Sequence, residues 1–213
     1  MATIPLKPQY GPTLGTLLAP RWHAAPRAVR ILARAAAVGL VVLVIAATLA
    51  LWPATYSHGG SAPFHFSYRG LYRTTPEAGQ YVRIDRRAGG RLEDSFAVSP
   101  LRLPPYAGGE SGELPVYASG YIDRLSGKFR DFVLRGEGKT RVNTVPAYNI
   151  FYTARIEGRE MYGRDVLLLP ERQGVRDGVA LEMLTLPSAG VTSPLEVATA
   201  GVLERPVETF TIS

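Results

Sequence analysis

Hydrophobic and polar positions follow three different patterns along the chain. From Ala35 to Trp52 the sequence reads AAAVGLVVLVIAATLALW, eighteen residues without a charge. At about 1.5 Å per residue this run spans about 27 Å, close to a bilayer core of about 30 Å. Adding Ile31, with Arg34 reaching for the headgroups, predicts a transmembrane helix over 31–52. Nine of the eighteen residues are Leu, Ile or Val, which favours insertion by about 3–5 kcal/mol. A buried core helix would show a polar face at helical spacing, and this run has none. Trp52 and Tyr56 stand where an aromatic belt is expected, and Pro53 stops the helix. The alternative is a cleaved signal peptide, whose apolar run is about 7–15 residues after a short basic start. Here the run is longer and begins further in, although small residues near Pro53–Ala54 leave cleavage open.

After the apolar run the period falls to two. Residues 53–63, with His58-Gly59-Gly60-Ser61 between Pro53 and Pro63, read as a stalk. Phe64, Phe66 and Tyr68 alternate with His65 and Ser67 as a strand, and Tyr81–Asp85 is a second. Arg87-Ala88-Gly89-Gly90 supplies a hairpin turn into a third strand from Leu92 to Val98, and 104–115 is a Gly/Pro-rich loop. Tyr117, Tyr121, Leu125 and Phe129 then recur every four residues, the stripe of an amphipathic helix. Strands follow over 134–142, 148–156, 161–169 and 179–186, the run Val166–Leu169 being apolar on both faces like a covered central strand. A turn is expected at Gln173-Gly174 to Asp177-Gly178. Ser193, Pro194 and Glu196 form a capping box opening a last helix that Pro206 ends, before a closing extended segment from Val207 to Ile212.

Charge changes the picture at one end only. The whole chain carries +6, but five basic residues (Lys7, Arg21, Arg27, Arg30, Arg34) and no acidic ones precede Pro53. From Pro53 onward 19 basic residues face 18 acidic ones. The basic character is therefore that of a short tail, and no basic stripe on the folded part supports nucleic-acid binding. The flanking charges place Met1 in the cytosol and the residues after Trp52 outside it. The five prolines between Pro5 and Pro26 make 1–30 a disordered cytosolic tail, with Leu14–Leu18 as its one stretch able to touch a partner or the inner leaflet. The small-residue pairs Ala35/Gly39 and Ala46/Ala50 are weak signals for helix dimerisation.

The segment Phe64–Ile212 resembles the PsbP-like superfamily of extracytoplasmic α/β domains. The resemblance is carried by the order of FHFSYRGLY, YIDRLSGKF, VNTVPAYNIFYTARIEG, YGRDVLLLP with GVALEMLTL, and EVATAGVLERPVETFTI. It implies an α/β (α+β) fold, an antiparallel sheet flanked by helices, over 64–213 and preceded by one transmembrane helix. Tyr68-Arg69-Gly70-Leu71 stands where such domains commonly carry a Tyr-Pro…Trp run. Lipoprotein members carry an acylated cysteine; with no Cys here, the helix would serve as anchor. Members mostly assist or bind other proteins.

Candidate chemistry is sparse. Zero Cys excludes disulfides, thiol nucleophiles and thiolate metal sites, and three His leave little for imidazole chemistry. A Ser-His-Asp triad would have to combine His65 with Ser95 or Ser99. Of the local carboxylate pairs, Glu93 and Asp94 point to opposite faces of a strand and Glu157 and Glu160 flank a turn. No cofactor, metal or catalytic residue is assigned. Arg135, Glu137, Lys139 and Arg141 alternate as a solvated face or a charge-guarded edge strand. The best candidate contact surface is Arg141, Asn149 and Arg155, provided no helix covers that face. The expectation is a single-pass protein of the cell membrane carrying a non-enzymatic binding or assembly module for an unknown envelope partner. A carboxylate-pair hydrolase and a transmembrane signalling component are the alternatives.

Overall fold

The structure is a computed structural model, and it describes residues 26–50, 52–60, 62–103, 110–169, 176–188 and 190–212. It divides into two compact units, residues 1–51 and 52–213. In the first unit, α1 runs from Arg27 to Ala50. Its start lies one turn before the expected Ile31. The mean hydropathy of its most apolar stretch is 2.4 and none of that stretch is buried, so by length and composition it is able to cross a membrane. Thr48 returns its hydroxyl proton to the carbonyls of Val44 and Ile45, which hides the polar atom against the helix. The Leu14–Leu18 stretch and the turn at Gln173-Gly174 lie outside the described residues.

In the second unit, among the described residues, two antiparallel sheets form. The smaller has three strands: β1 (Ala54–His58), β2 (Phe64–Tyr68) and the short β10 (Thr211–Ile212), with β2 central. The larger has seven: β3 (Tyr72–Thr74), β4 (Val82–Ala88), β5 (Arg91–Arg102), β6 (Arg130–Val142), β7 (Val145–Ile156), β8 (Arg159–Leu168) and β9 (Asp177–Thr185). Its order is β3-β4-β5-β9-β8-β7-β6, so β6 is an edge strand, and α2 (Glu110–Lys128) packs on one face.

Each face of the large sheet has its own apolar core. On one, Val82, Ile84, Phe96, Val98, Val166, Leu168 and Leu181 meet Phe64, Phe66 and Phe210 from the small sheet side. On the other, Ile150, Tyr152, Ala154, Leu167 and Ala180 meet Leu114, Ala118 and Leu125 of α2. Seven of the ten β8 residues are buried, which is why its sequence loses the two-residue alternation.

Several expectations need correction. Residues 110–115, expected within a loop, already belong to α2, with Pro115 inside it. Residues 54–58 are a strand and not a stalk, because Tyr56 packs its ring against Phe64 and Phe66 and the backbone pairs from Ala54↔Tyr68 to His58↔Phe64. Tyr56 is thereby taken into the packing of the domain. The capping box at Ser193 forms as expected, but it opens only a 3-10 turn, Pro194–Glu196. Ala198, at a positive φ of 61°, interrupts the helical path. A second 3-10 turn (Gly201–Leu203) then leads into α3 (Glu204–Glu208). Pro206 does not end this helix. It is buried in its first turn, where its missing N–H would have had no intrahelical partner.

Candidate functional site

Helix α2 covers the β6–β7 side of its sheet face and leaves a cleft of about 240 Å³ toward β4, β5 and β9. The stripe read from the sequence sets this geometry. Leu125 is buried, whereas Tyr121 and Phe129 lie at the margin and become one wall. Ala97, Leu184 and Ile156 line the apolar part, and Glu77, Gln80, Arg83, Arg124 and Lys128 the polar part.

At the floor, Asp165 of β8 stands directly opposite Glu182 of β9. Such cross-strand neighbours hold their Cβ atoms about 4.5–5.5 Å apart. Asp165 is fully buried. The hydroxyl of Tyr121 donates to its Oδ2 at 2.8 Å, and that of Tyr152 donates to its Oδ1 at 3.1 Å. Loss of solvent, then the nearby Glu182 charge, pushes the Asp165 carboxyl up to about 8, although both tyrosine hydroxyls pull it down. Burial, followed by the proximity of Asp165, holds both phenols above the ordinary tyrosine range. Glu182 is half-buried. It accepts from the Ser99 hydroxyl at 2.5 Å and from Gln80 Nε2 at 3.0 Å.

The mouth is an ion-pair chain. Arg83 contacts Glu77 and holds Asp85 at 3.0 Å; Lys128 reaches the same Glu77 at 3.6 Å, joining the end of α2 to the segment before β4. Arg124 lies over the rings of Tyr117 and Tyr121, at 5.2 and 5.4 Å. Tyr152 reaches Asp165 because Gly163, its cross-strand partner, leaves room. A Cβ on Gly163 would lie 2.2 Å from the Tyr152 ring.

The structure does not bring Arg141, Asn149 and Arg155 onto one surface. Arg141 pairs with Pro146 on the α2 face and donates to the carbonyl of Thr144 at 2.8 Å. Asn149 looks to the other face, where its Oδ1 accepts from Arg164 Nε and Nη2 at 3.2 and 3.1 Å. Arg155 pairs with Asp131 at 2.8 Å. Their sheet face is also covered in part, by Leu195 packed over Gly136 and by Arg164 donating to the carbonyl of Val197. The two-residue turn Asn143-Thr144 sets Val142 opposite Val145 and Gly138 opposite Asn149, so Lys139 and Arg141 share the face of Tyr148, a pairing that counting along one strand does not reveal.

Ser99 is paired with Glu182, and His65 with Thr211 on the small sheet, so they do not form a dyad. Asp94 is held by Arg86 at 2.6 Å and by Thr185 at 2.7 Å. Glu157 accepts the backbone N–H of Leu92 at 3.0 Å, the main cause of its lowered pKa. The carboxylates that do face each other, Asp165 and Glu182, are seventeen positions apart on separate strands. Their only sequence signal was one acid inside each of two apolar runs, YGRDVLLLP and GVALEMLTL. Among the described residues no cluster of three or more His, Cys, Asp and Glu could hold a metal ion.

No family model matches the sequence, and no curated protein matches it. Solved structures do share its architecture. The cyanobacterial PsbP (CyanoP) of Synechocystis sp. PCC 6803 superimposes with a TM-score of 0.52 at 10% identity, covering 76% of this chain and 94% of that one. LpqN of Mycobacterium tuberculosis, described as involved in cell envelope biogenesis, gives 0.52 at 12% identity over 76% of this chain and 91% of its own. The fold is PsbP-like: an α+β arrangement of antiparallel sheets with helices, preceded here by an apolar helix.

Proposed function

We propose that this chain is a membrane-anchored, non-enzymatic binding or assembly module of the cell envelope, its domain extracytoplasmic, with the cleft beside α2 as its contact site. The size and occupancy of that cleft carry the reading. About 240 Å³ falls below the 300–1,000 Å³ usual for small-molecule sites and suits one or two side chains of a protein partner. The paired carboxylates, which would favour a hydrolase, are committed elsewhere. Asp165 has no accessible surface and its oxygens accept two phenols, while both Glu182 oxygens accept from Ser99 and Gln80. A reacting pair must reach a substrate. The likeness of fold to LpqN supports an envelope setting, and the bare apolar α1 with its basic N-terminal flank supports the anchor and its orientation.

The test is site-specific photocrosslinking of the full chain in native membranes, with the probe at Gln80 or Lys128 and a control at exposed Arg102. A defined partner captured from the cleft positions, and lost with Glu182→Leu, is the expected result. Capture from Arg102 alone overturns the cleft as contact site. A C-terminal reporter active only in the cytosol should stay dark; activity would reverse the orientation.

A further inference from the structure

A different surface, the end of the domain where the chain enters it, bears on the anchored reading and rests on it. Three features meet there. Trp52 precedes β1, whose first residue Ala54 pairs with Tyr68, so Trp52 lies toward the Arg69–Gly70 corner. Tyr72 opens β3 opposite Asp85. Beyond Asp85 the β4–β5 hairpin continues to Ala88↔Arg91, past the start of β3 and on the side from which Arg69 and Gly70 arrive.

The chemistry of this end is unlike the rest of the domain. Trp52 and Tyr72 are 74% and 73% exposed, among the most exposed large aromatic side chains described. Residues 69–91 hold six arginines and two acids, whereas the rest of the chain after Pro53 holds 13 basic and 16 acidic residues. Arg83, Arg86 and Arg87 are spent on Asp85, Asp94 and Glu157. Arg69, Arg73 and Arg91 are exposed and make no ion pair among the described residues; Arg73 lies over the Tyr56 ring at 5.1 Å. Unpaired arginines beside exposed Trp and Tyr are what a headgroup layer accommodates, since the rings prefer the interface and the cations meet lipid phosphates. The tether also favours it. Only Leu51, Trp52 and Pro53 separate the end of α1 from β1, a reach of about 14 Å even when fully extended.

We propose that Trp52, Arg69 and Arg91, with Tyr72 and Arg73 projecting from the two sides of edge strand β3, together form a docking face at this end of the domain for an anionic phospholipid surface, holding the domain down on the leaflet from which it emerges. Each arginine near such a surface contributes about fivefold to association, so three contribute up to roughly a hundredfold.

The test uses the full chain in nanodiscs of phosphatidylcholine alone or mixed with phosphatidylglycerol. With Trp22→Phe, Trp52→Phe and Tyr72→Trp, the one tryptophan sits at position 72, an exposed site that tolerates the larger ring. Headgroup spin-labelled lipid should quench it strongly in the mixed discs. Quenching should weaken in phosphatidylcholine, in high salt and with Arg69→Gln, Arg73→Gln and Arg91→Gln combined. Protein that co-elutes with the discs but shows no quenching, or quenching indifferent to lipid charge and to the three arginines, overturns the docking face and leaves the anchor standing. Protein that does not co-elute overturns the anchor as well.

Discussion

Asp165 is a carboxyl kept from water by its own hydrogen-bond donors, and this links folding to pH. Its folded-state value of about 8 lies above the ordinary 3.8. Between these values the folded chain keeps a proton that the unfolded chain releases, so stability falls as pH rises. The contribution is fully present below about 4 and lost by about 8. Urea midpoints measured from about pH 4.5 to 8 should therefore decline in the wild type, and Asp165→Asn should flatten this decline. An unchanged slope would mean that Asp165 is ionised in the fold. Gly163 is the second residue on which the cleft floor depends. Gly163→Ala places a methyl inside the Tyr152 ring; overpacking of this kind costs about 1–3 kcal/mol. A lower urea midpoint, with loss of the Tyr152–Asp165 hydrogen bond in NMR spectra, is the expected outcome.

At the scale of elements, what could be read in the sequence was what depends on local spacing. The α2 stripe, the inner face of β7 (Tyr148, Ile150, Tyr152, Ala154) and the covered run of β8 all follow from periods that burial imposes on contiguous residues. The capping box at Ser193 was equally local. The length of the helix it opened was not, because tertiary bonds decide it. Arg164, buried and without an acidic partner among the described residues, donates to the Val197 carbonyl at 3.0 Å and so fixes the turn where the helical path breaks. Burial lowers the pKa of this guanidinium without a charge to offset it. Arg164→Met leaves the Val197 carbonyl and Asn149 Oδ1 without a donor, a loss of about 1–3 kcal/mol per buried group. Faster amide exchange confined to residues 194–203 would locate that loss; protection unchanged there would show that the turn holds without it.

Across the whole molecule, the sequence carried the alternation of each strand but not the pairing of strands. The α+β class and the PsbP-like order of elements were readable because most elements announced themselves locally; β1, expected as a stalk, and the short β3 did not. The carboxylate pair of the cleft was not, since Asp165 and Glu182 meet only through the β8–β9 register. The division of Arg141 from Asn149 depends likewise on the β6–β7 pairing, which sets Gly138 opposite Asn149, and nearer the start of β6 that ladder carries two register shifts. Those shifts have an outcome for molecules crowded in two dimensions. A straight, neutral rim would let neighbouring copies zip together side by side, rim to rim, into ribbons. The kinked rim, studded with Arg135, Glu137, Lys139 and Arg141, denies a neighbour a matching ladder. Replacing all four charges with valine should bring concentration-dependent oligomers in light scattering where the natural chain stays dispersed. Dense packing on a shared surface is thus a condition the rim equips this molecule to withstand.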